Sequence, residues 1–152
     1  MVFILCGVND WKYLVFGRTS GAFRTQLSSL VDEVRAVVGP DTLICLPALP
    51  LAGAVRFPAP LSYVVRAVGQ RWDDQKRALS SLAAGGRVAF VDQPPLGAGE
   101  AAGLVCGDGI HPNERGYRRW AVHLAASVAG RLKMSGRPAT EGAAEAAASS
   151  LR

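Results

Sequence analysis

The chain opens Met1-Val2-Phe3-Ile4-Leu5-Cys6-Gly7, a continuous apolar run that breaks at the turn signal Gly7-Val8-Asn9-Asp10. A run of this kind, without polar alternation, is the pattern of a strand buried on both faces of a parallel sheet. The next segment has a different period. Phe23, Leu27, Leu30, Val31, Val34 and Val38 recur at helical spacing, with Ser20 as the expected cap and Gly39-Pro40 as the stop. Thr42 to Leu46 is a second short apolar run, and it gives way to Pro47, Pro50, Pro58 and Pro60, which a helix interior would not tolerate. A strand followed by an irregular loop is expected there.

Leu61, Val64, Val65, Val68, Trp72, Leu79 and Leu82 restore the helical period up to Gly85-Gly86. Gly69 and the Trp72-Asp73-Asp74 stretch leave open whether this is one unbroken helix, and Asp73 and Asp74 are expected on its exposed face. A third strand follows at Arg87 to Val91, then a loop rich in Pro and Gly from Gln93 to Gly109. The last helix is expected from about Glu114 to Lys133, capped by Asn113, with Tyr117, Trp120, Ala121, Leu124, Val128 and Leu132 on one apolar face. Past Gly136 the composition shifts to Ala, Gly, Ser and Glu, so residues 135–152 are expected to form a disordered tail and residues 1–134 a single domain. Strands alternating with helices in this order predict an α/β fold with a parallel sheet and helices on both faces.

Composition narrows the functional classes. Of 152 residues, 49% are hydrophobic and 19% charged, which excludes wholesale disorder. No apolar run reaches the roughly 20 residues of a membrane span, and the first residues lack the flanks of a signal peptide. Cys6, Cys45 and Cys106 are odd in number and form no C-x-x-C pair, which favours free thiols in a reducing, cytoplasmic setting over a disulfide framework or a zinc site. The net charge of +5 would help association with phosphates, yet the densest basic group is only Arg115, Arg118 and Arg119. A solvated basic face is the favoured reading, and a nucleic-acid partner is not expected.

Ligands of open parallel sheets bind beyond the carboxyl ends of the strands, and Gly7 to Asp10 sits at one such end. There Asn9 can aim an amide N–H at a developing oxyanion, or it can close an Asx turn. The loop after the third strand brings Asp108-Gly109-Ile110-His111-Pro112-Asn113 toward the same edge. An Asp three residues before a His on a Gly-containing turn can fold back onto Nδ1, fix the tautomer and leave Nε2 as a base. The alternative is a loop histidine that caps the next helix or sits in solvent. His123 falls within the last helix and is expected to be packed or at the surface. Gly97-Ala98-Gly99 lacks the Lys-Ser/Thr of a phosphate loop, and no metal-ligand spacing occurs.

Taken together, Gly7-Val8-Asn9-Asp10, Asp108-Gly109-Ile110-His111-Pro112 and the continuation Asn113-Glu114-Arg115-Gly116-Tyr117 resemble the signature blocks of SGNH (GDSL-type) hydrolases. The resemblance covers Met1 to about Lys133, and the segment from Pro47 to Pro60 is similar to a loop in that family's short single-domain esterases. It implies a flavodoxin-like three-layer αβα fold, hydrolysis of carboxylic esters, thioesters or acetylated sugars and lipids, and no metal or organic cofactor. His111 would then be the general base, Asp108 its orienting carboxylate and Asn9 an oxyanion donor.

The family's G-D-S nucleophile block belongs upstream of the G-x-N-D turn, where this chain has only six residues before Gly7. The resemblance therefore implies an N-terminally truncated domain lacking about two strand-and-crossover units of roughly 30 residues each. Ser20, Cys106 and Cys6 are the candidate substitutes, and none is expected to replace the serine. Two functional readings remain. One is an SGNH-type esterase completed by a serine from elsewhere, for example from a chain supplying the missing strand. The other is a catalytically inactive α/β binding or regulatory module with a basic surface.

Overall fold

The structure is a computed structural model, and it describes residues 1–7, 9–50, 57–83, 87–97, 100–109 and 111–134. The expected tail at 135–152, the Gly85-Gly86 stop and the Ala98-Gly99 part of the glycine-rich stretch lie outside the described residues. In chain order the elements are β1 (Val2–Phe3), a 3-10 helix (Asn9–Phe16), α1 (Ser20–Val38), β2 (Ile44–Pro47), α2 (Leu61–Leu82), β3 (Val88–Val91), a second 3-10 helix (Glu100–Leu104) and α3 (Glu114–Met134). The strands are parallel in the order β1-β2-β3, with Val2 opposite Ile44 and Ile44 opposite Val88. Two crossovers that step in one direction with one hand place their helices on the same face. That leaves the other face to α3.

The packing shows both layers. Phe23, Leu27 and Val31 of α1 and Trp72 of α2 meet Ile4, Ile44, Leu46 and Val88, with the Phe23 and Trp72 rings stacked at 5.4 Å. Val128 and Leu124 of α3 meet the alternate set, Leu43, Cys45, Ala89, Val91 and Phe3. Successive strand residues thus bury toward opposite layers, which is why β2 and β3 are uninterrupted apolar runs in the sequence. The fold is the expected three-layer α/β, flavodoxin-like arrangement.

Several local expectations need correction. The opening run is a strand only at Val2–Phe3, and Met1 and Leu5 are exposed. Thr19, rather than Ser20, caps α1, its side chain accepting from the Ala22 N–H at 3.1 Å. α2 is one unbroken helix. Gly69 does not interrupt it, since the residue sits on the buried face with Val65 and Trp72. Leu30, Leu61, Val64, Leu82 and Tyr117 are exposed, so the apolar stripes are narrower than their sequence periodicity. Asp73 is buried, contrary to expectation, while Asp74 is exposed.

Candidate active site

Segments leave the carboxyl ends of the three strands at Gly7, Ala48 and Asp92, and the candidate residues lie beyond the first and the third. Beyond β3 the chain forms a tight hairpin. Val105 and Pro112 make an antiparallel bridge, flanked by Asn113 N–H to Leu104 O at 3.0 Å and Cys106 N–H to His111 O at 2.7 Å. The turn is closed by Gly109 N–H to Cys106 O at 3.0 Å, and Gly109 has φ +70°, a conformation that favours glycine.

This hairpin folds Asp108 back onto His111 at two points. One carboxylate oxygen accepts the His111 backbone N–H at 3.1 Å, and the other lies 2.6 Å from Nδ1. A carboxylate on Nδ1 favours the tautomer with the proton there, and in that neutral form Nε2 carries the lone pair. Both side chains are substantially exposed, 66% for His111 and 46% for Asp108. The pair can therefore be reached from solvent.

The start of α3 holds the hairpin in place. Asn113 donates from Nδ2 to Gly103 O at 3.0 Å and to Val105 O at 3.2 Å, while its Oδ1 accepts the Gly116 N–H at 2.9 Å. Asn113 is thus both the expected helix cap and a strap across the hairpin's base. Gly116 is buried against the same backbone, where a Cβ would lie 2.1 Å from Leu104 O.

Asn9 begins the first 3-10 helix and is exposed. Its turn is closed by the backbone, Asp10 N–H to Gly7 O at 3.2 Å, and by an ion pair of Asp10 with Arg18 at 2.7 Å. The Asn9 side chain is not spent on an Asx turn, and no hydrogen bond joins it to His111 among the described residues. The structure therefore brings Asp108 and His111 together and places Asn9 beyond a different strand. Gly7, at φ +112°, fits against Leu49 and Trp72, each with an atom 3.1 Å from where a Cβ would stand.

The other candidates are accounted for. Ser20 is the first residue of α1, and the exposed Cys106 points its sulfur at Pro112 O, 3.5 Å away. Cys6 packs against the core; burial pushes its thiol up, against the opposing pull of Lys76. Burial likewise raises Cys45. His123 places Nε2 2.9 Å from Asp92 O, which ties α3 to the end of β3. Among the described residues no group of three or more His, Cys, Asp or Glu could hold a metal ion, and no helix is long and apolar enough to cross a membrane.

The model of the GDSL-like lipase/acylhydrolase family matches residues 1–119. The chain belongs to that family. The matched span contains the three strands of the described residues, and the Gly7 to Asp10 and Asp108 to His111 stretches of sequence. No curated protein and no solved structure gives a significant match. Family membership makes this a hydrolase fold for ester substrates, which are small molecules.

One feature of this GDSL-like chain was missed in the sequence. Asp73 accepts the Leu49 N–H with both oxygens, at 3.0 and 3.2 Å, and Lys76 Nζ bonds Asp73 at 3.3 Å and Pro47 O at 2.8 Å. This buried pair clamps the segment that leaves β2. Burial pushes the Asp73 carboxyl up from its ordinary value, and Lys76 and the Leu49 N–H pull it back down. The signal was present: Val65, Gly69, Trp72 and Lys76 are spaced four, three and four residues apart, which puts Lys76 on the core face. Leu49 O in turn accepts from the side chain of Gln93, beyond β3.

Proposed function

We propose that this chain acts as an SGNH-type hydrolase of carboxylic esters in which His111 is the general base, Asp108 its orienting carboxylate and Asn9 an oxyanion donor. The 2.6 Å contact between Asp108 and His111 Nδ1 carries this reading, because it leaves Nε2 as the basic atom. In the reaction, Nε2 takes the proton of a serine hydroxyl as its oxygen attacks the ester carbonyl. The Asn9 amide N–H stabilises the charge on the carbonyl oxygen, and the imidazolium then protonates the departing alkoxide. Water activated by the same Nε2 releases the acid. The steps use side chains alone, with no cofactor.

The serine is assigned outside these 152 residues. In support, Ser20 lies in the first turn of α1, the Cys106 sulfur is turned to a carbonyl, and burial disfavours the thiolates of Cys6 and Cys45. A segment carrying the serine would add to the sheet beside β1, its terminal strand. The three free thiols support a cytoplasmic setting. The inactive basic module is less well supported, since Arg118 and Arg119 are engaged by Glu114 and Glu100.

The test is fluorophosphonate labelling read by intact mass. The 152-residue chain should take no label, whereas the gene product tagged at its C-terminus and isolated from its own host should be labelled on a serine. His111→Ala should abolish that label. A serine adduct within residues 1–152, or host-derived protein labelled equally with and without His111, would overturn the assignment.

A further inference from the structure

A small cavity of about 50 Å³ lies directly beside the dyad hairpin, open to solvent on one side. Its walls come from Pro50 beyond β2, Leu96 beyond β3, Leu104 and Val105 at the base of the hairpin, and Trp120 of α3. Pro112, the residue after His111, also lines it.

The lining is mostly apolar, and several of its polar groups are already committed. Gln93, on its wall, donates to Leu49 O, and the Arg119 guanidinium donates to Glu100 at 2.8 Å and to Pro95 O at 2.7 Å. The carbonyls of Leu104 and Val105 accept from Asn113. An occupant would meet apolar surface without displacing any of these bonds, and apolar cavities of this kind admit small apolar groups in preference to water. Because one water needs roughly 10–15 Å³ by this measure, about 50 Å³ holds a group of roughly three or four heavy atoms.

We infer that the cavity receives the short apolar end, two to four carbons long, of the ester, so that the substrate class is short-chain esters rather than long-chain lipids. This rests on the ester-hydrolase reading for the reaction. The site itself rests on the cavity. Pro112 belongs both to the cavity wall and to the hairpin, so a chain seated there leaves the rest of the ester beside the His111 loop.

Binding needs no serine, so the 152-residue chain suffices for the test. Methyl ketones serve as unreactive ester analogues, and the 15N-indole resonance of Trp120 reports on them, assigned by its loss in Trp120→Phe. 2-Butanone and 2-pentanone should shift that resonance saturably, and 2-decanone should bind at least about tenfold more weakly, a difference of about 1.4 kcal/mol. Leu96→Trp, which fills the cavity from a loop, should abolish the shift while the remaining resonances stay dispersed. His111→Ala should leave the shift in place, so a failed labelling experiment and a failed cavity are distinguishable. No Trp120 shift with any ketone, equal binding of decanone, or a shift that survives Leu96→Trp would overturn the inference.

Discussion

Replacing Gly116 with Ala puts a methyl carbon 2.1 Å from Leu104 O and 3.0 Å from Pro112 Cβ. Neither neighbour is the end of a flexible side chain, so α3 and the hairpin must separate by about an ångström to restore ordinary contact. Leu104 O is also the acceptor for Asn113 N–H, so the separation strains a bond that anchors the dyad loop. Overpacking of this kind costs about 1–3 kcal/mol, and a weakened hydrogen bond adds about 1 kcal/mol. The gain of Ala over Gly inside a helix offsets about 1 kcal/mol of that. A net loss of about 1–3 kcal/mol corresponds to a melting temperature lower by about 3–10 °C for a chain of this size. Gly130 in the same helix is the control, because a Cβ there meets nothing within 4 Å. Gly130→Ala should raise the melting temperature by about 1–3 °C through helix propensity alone. Circular-dichroism melts of the two variants beside the parent decide the matter. If Gly116→Ala melts at or above the parent, the close approach of α3 to the hairpin is wrong.

Asp73→Ala should destabilise the fold by about 3–5 kcal/mol in urea unfolding, because it strands Lys76 in the interior, while Asp74→Ala should stay within about 0.5 kcal/mol. Asp108→Asn should remove the preference for a proton on His111 Nδ1, visible as a changed tautomer in the 15N spectrum of the imidazole. Glu100 is held below its ordinary 4.5, first by the Gly97 N–H and then by Arg119. Its stabilising effect is therefore complete above that value and is lost as pH falls through the lower, folded-state value; the gap in melting temperature between parent and Glu100→Gln should close in that window. Iodoacetamide should modify Cys106 rapidly in the native protein and Cys6 and Cys45 only slowly, as intact mass and peptide mapping will show.

The parts of the fold that were legible in the sequence are those where one physical demand acts alone. β2 and β3 are buried on both faces, so their apolar runs mark the strands to within about two residues. Phe23, Leu27 and Val31 bear out the α1 stripe, and Asn113 bears out the cap of α3. The reading failed where two demands compete. The run Met1 to Gly7 is as apolar as β2, but only Val2 and Phe3 pair with it, and the last ladder bond is Ile4 N–H to Cys45 O. The close contact of Asp108 with His111 was legible because three residues and a glycine confine both groups. The relation of Asn9 to that pair was not, since it depends on how two segments from different strands are packed rather than on any local pattern.

Asp73 shows most clearly why charge is a poor guide to exposure. A carboxylate in mid-helix is ordinarily solvated, but the segment leaving β2 has backbone groups that the sheet does not pair, and buried backbone groups must find partners. Asp73 takes the Leu49 N–H and Lys76 takes Pro47 O. The consequence reaches the candidate site. Leu49 packs against Gly7, where the turn to Asn9 begins, and its carbonyl holds Gln93, where the chain departs from β3 toward the hairpin. One buried ion pair on α2 thus fixes the geometry beyond all three strands. Lys76→Met therefore removes more than a charge pair. Amide shifts should move at Gly7 and Gln93 as well as at Leu49, and shifts confined to α2 would show that the clamp ends at the helix surface.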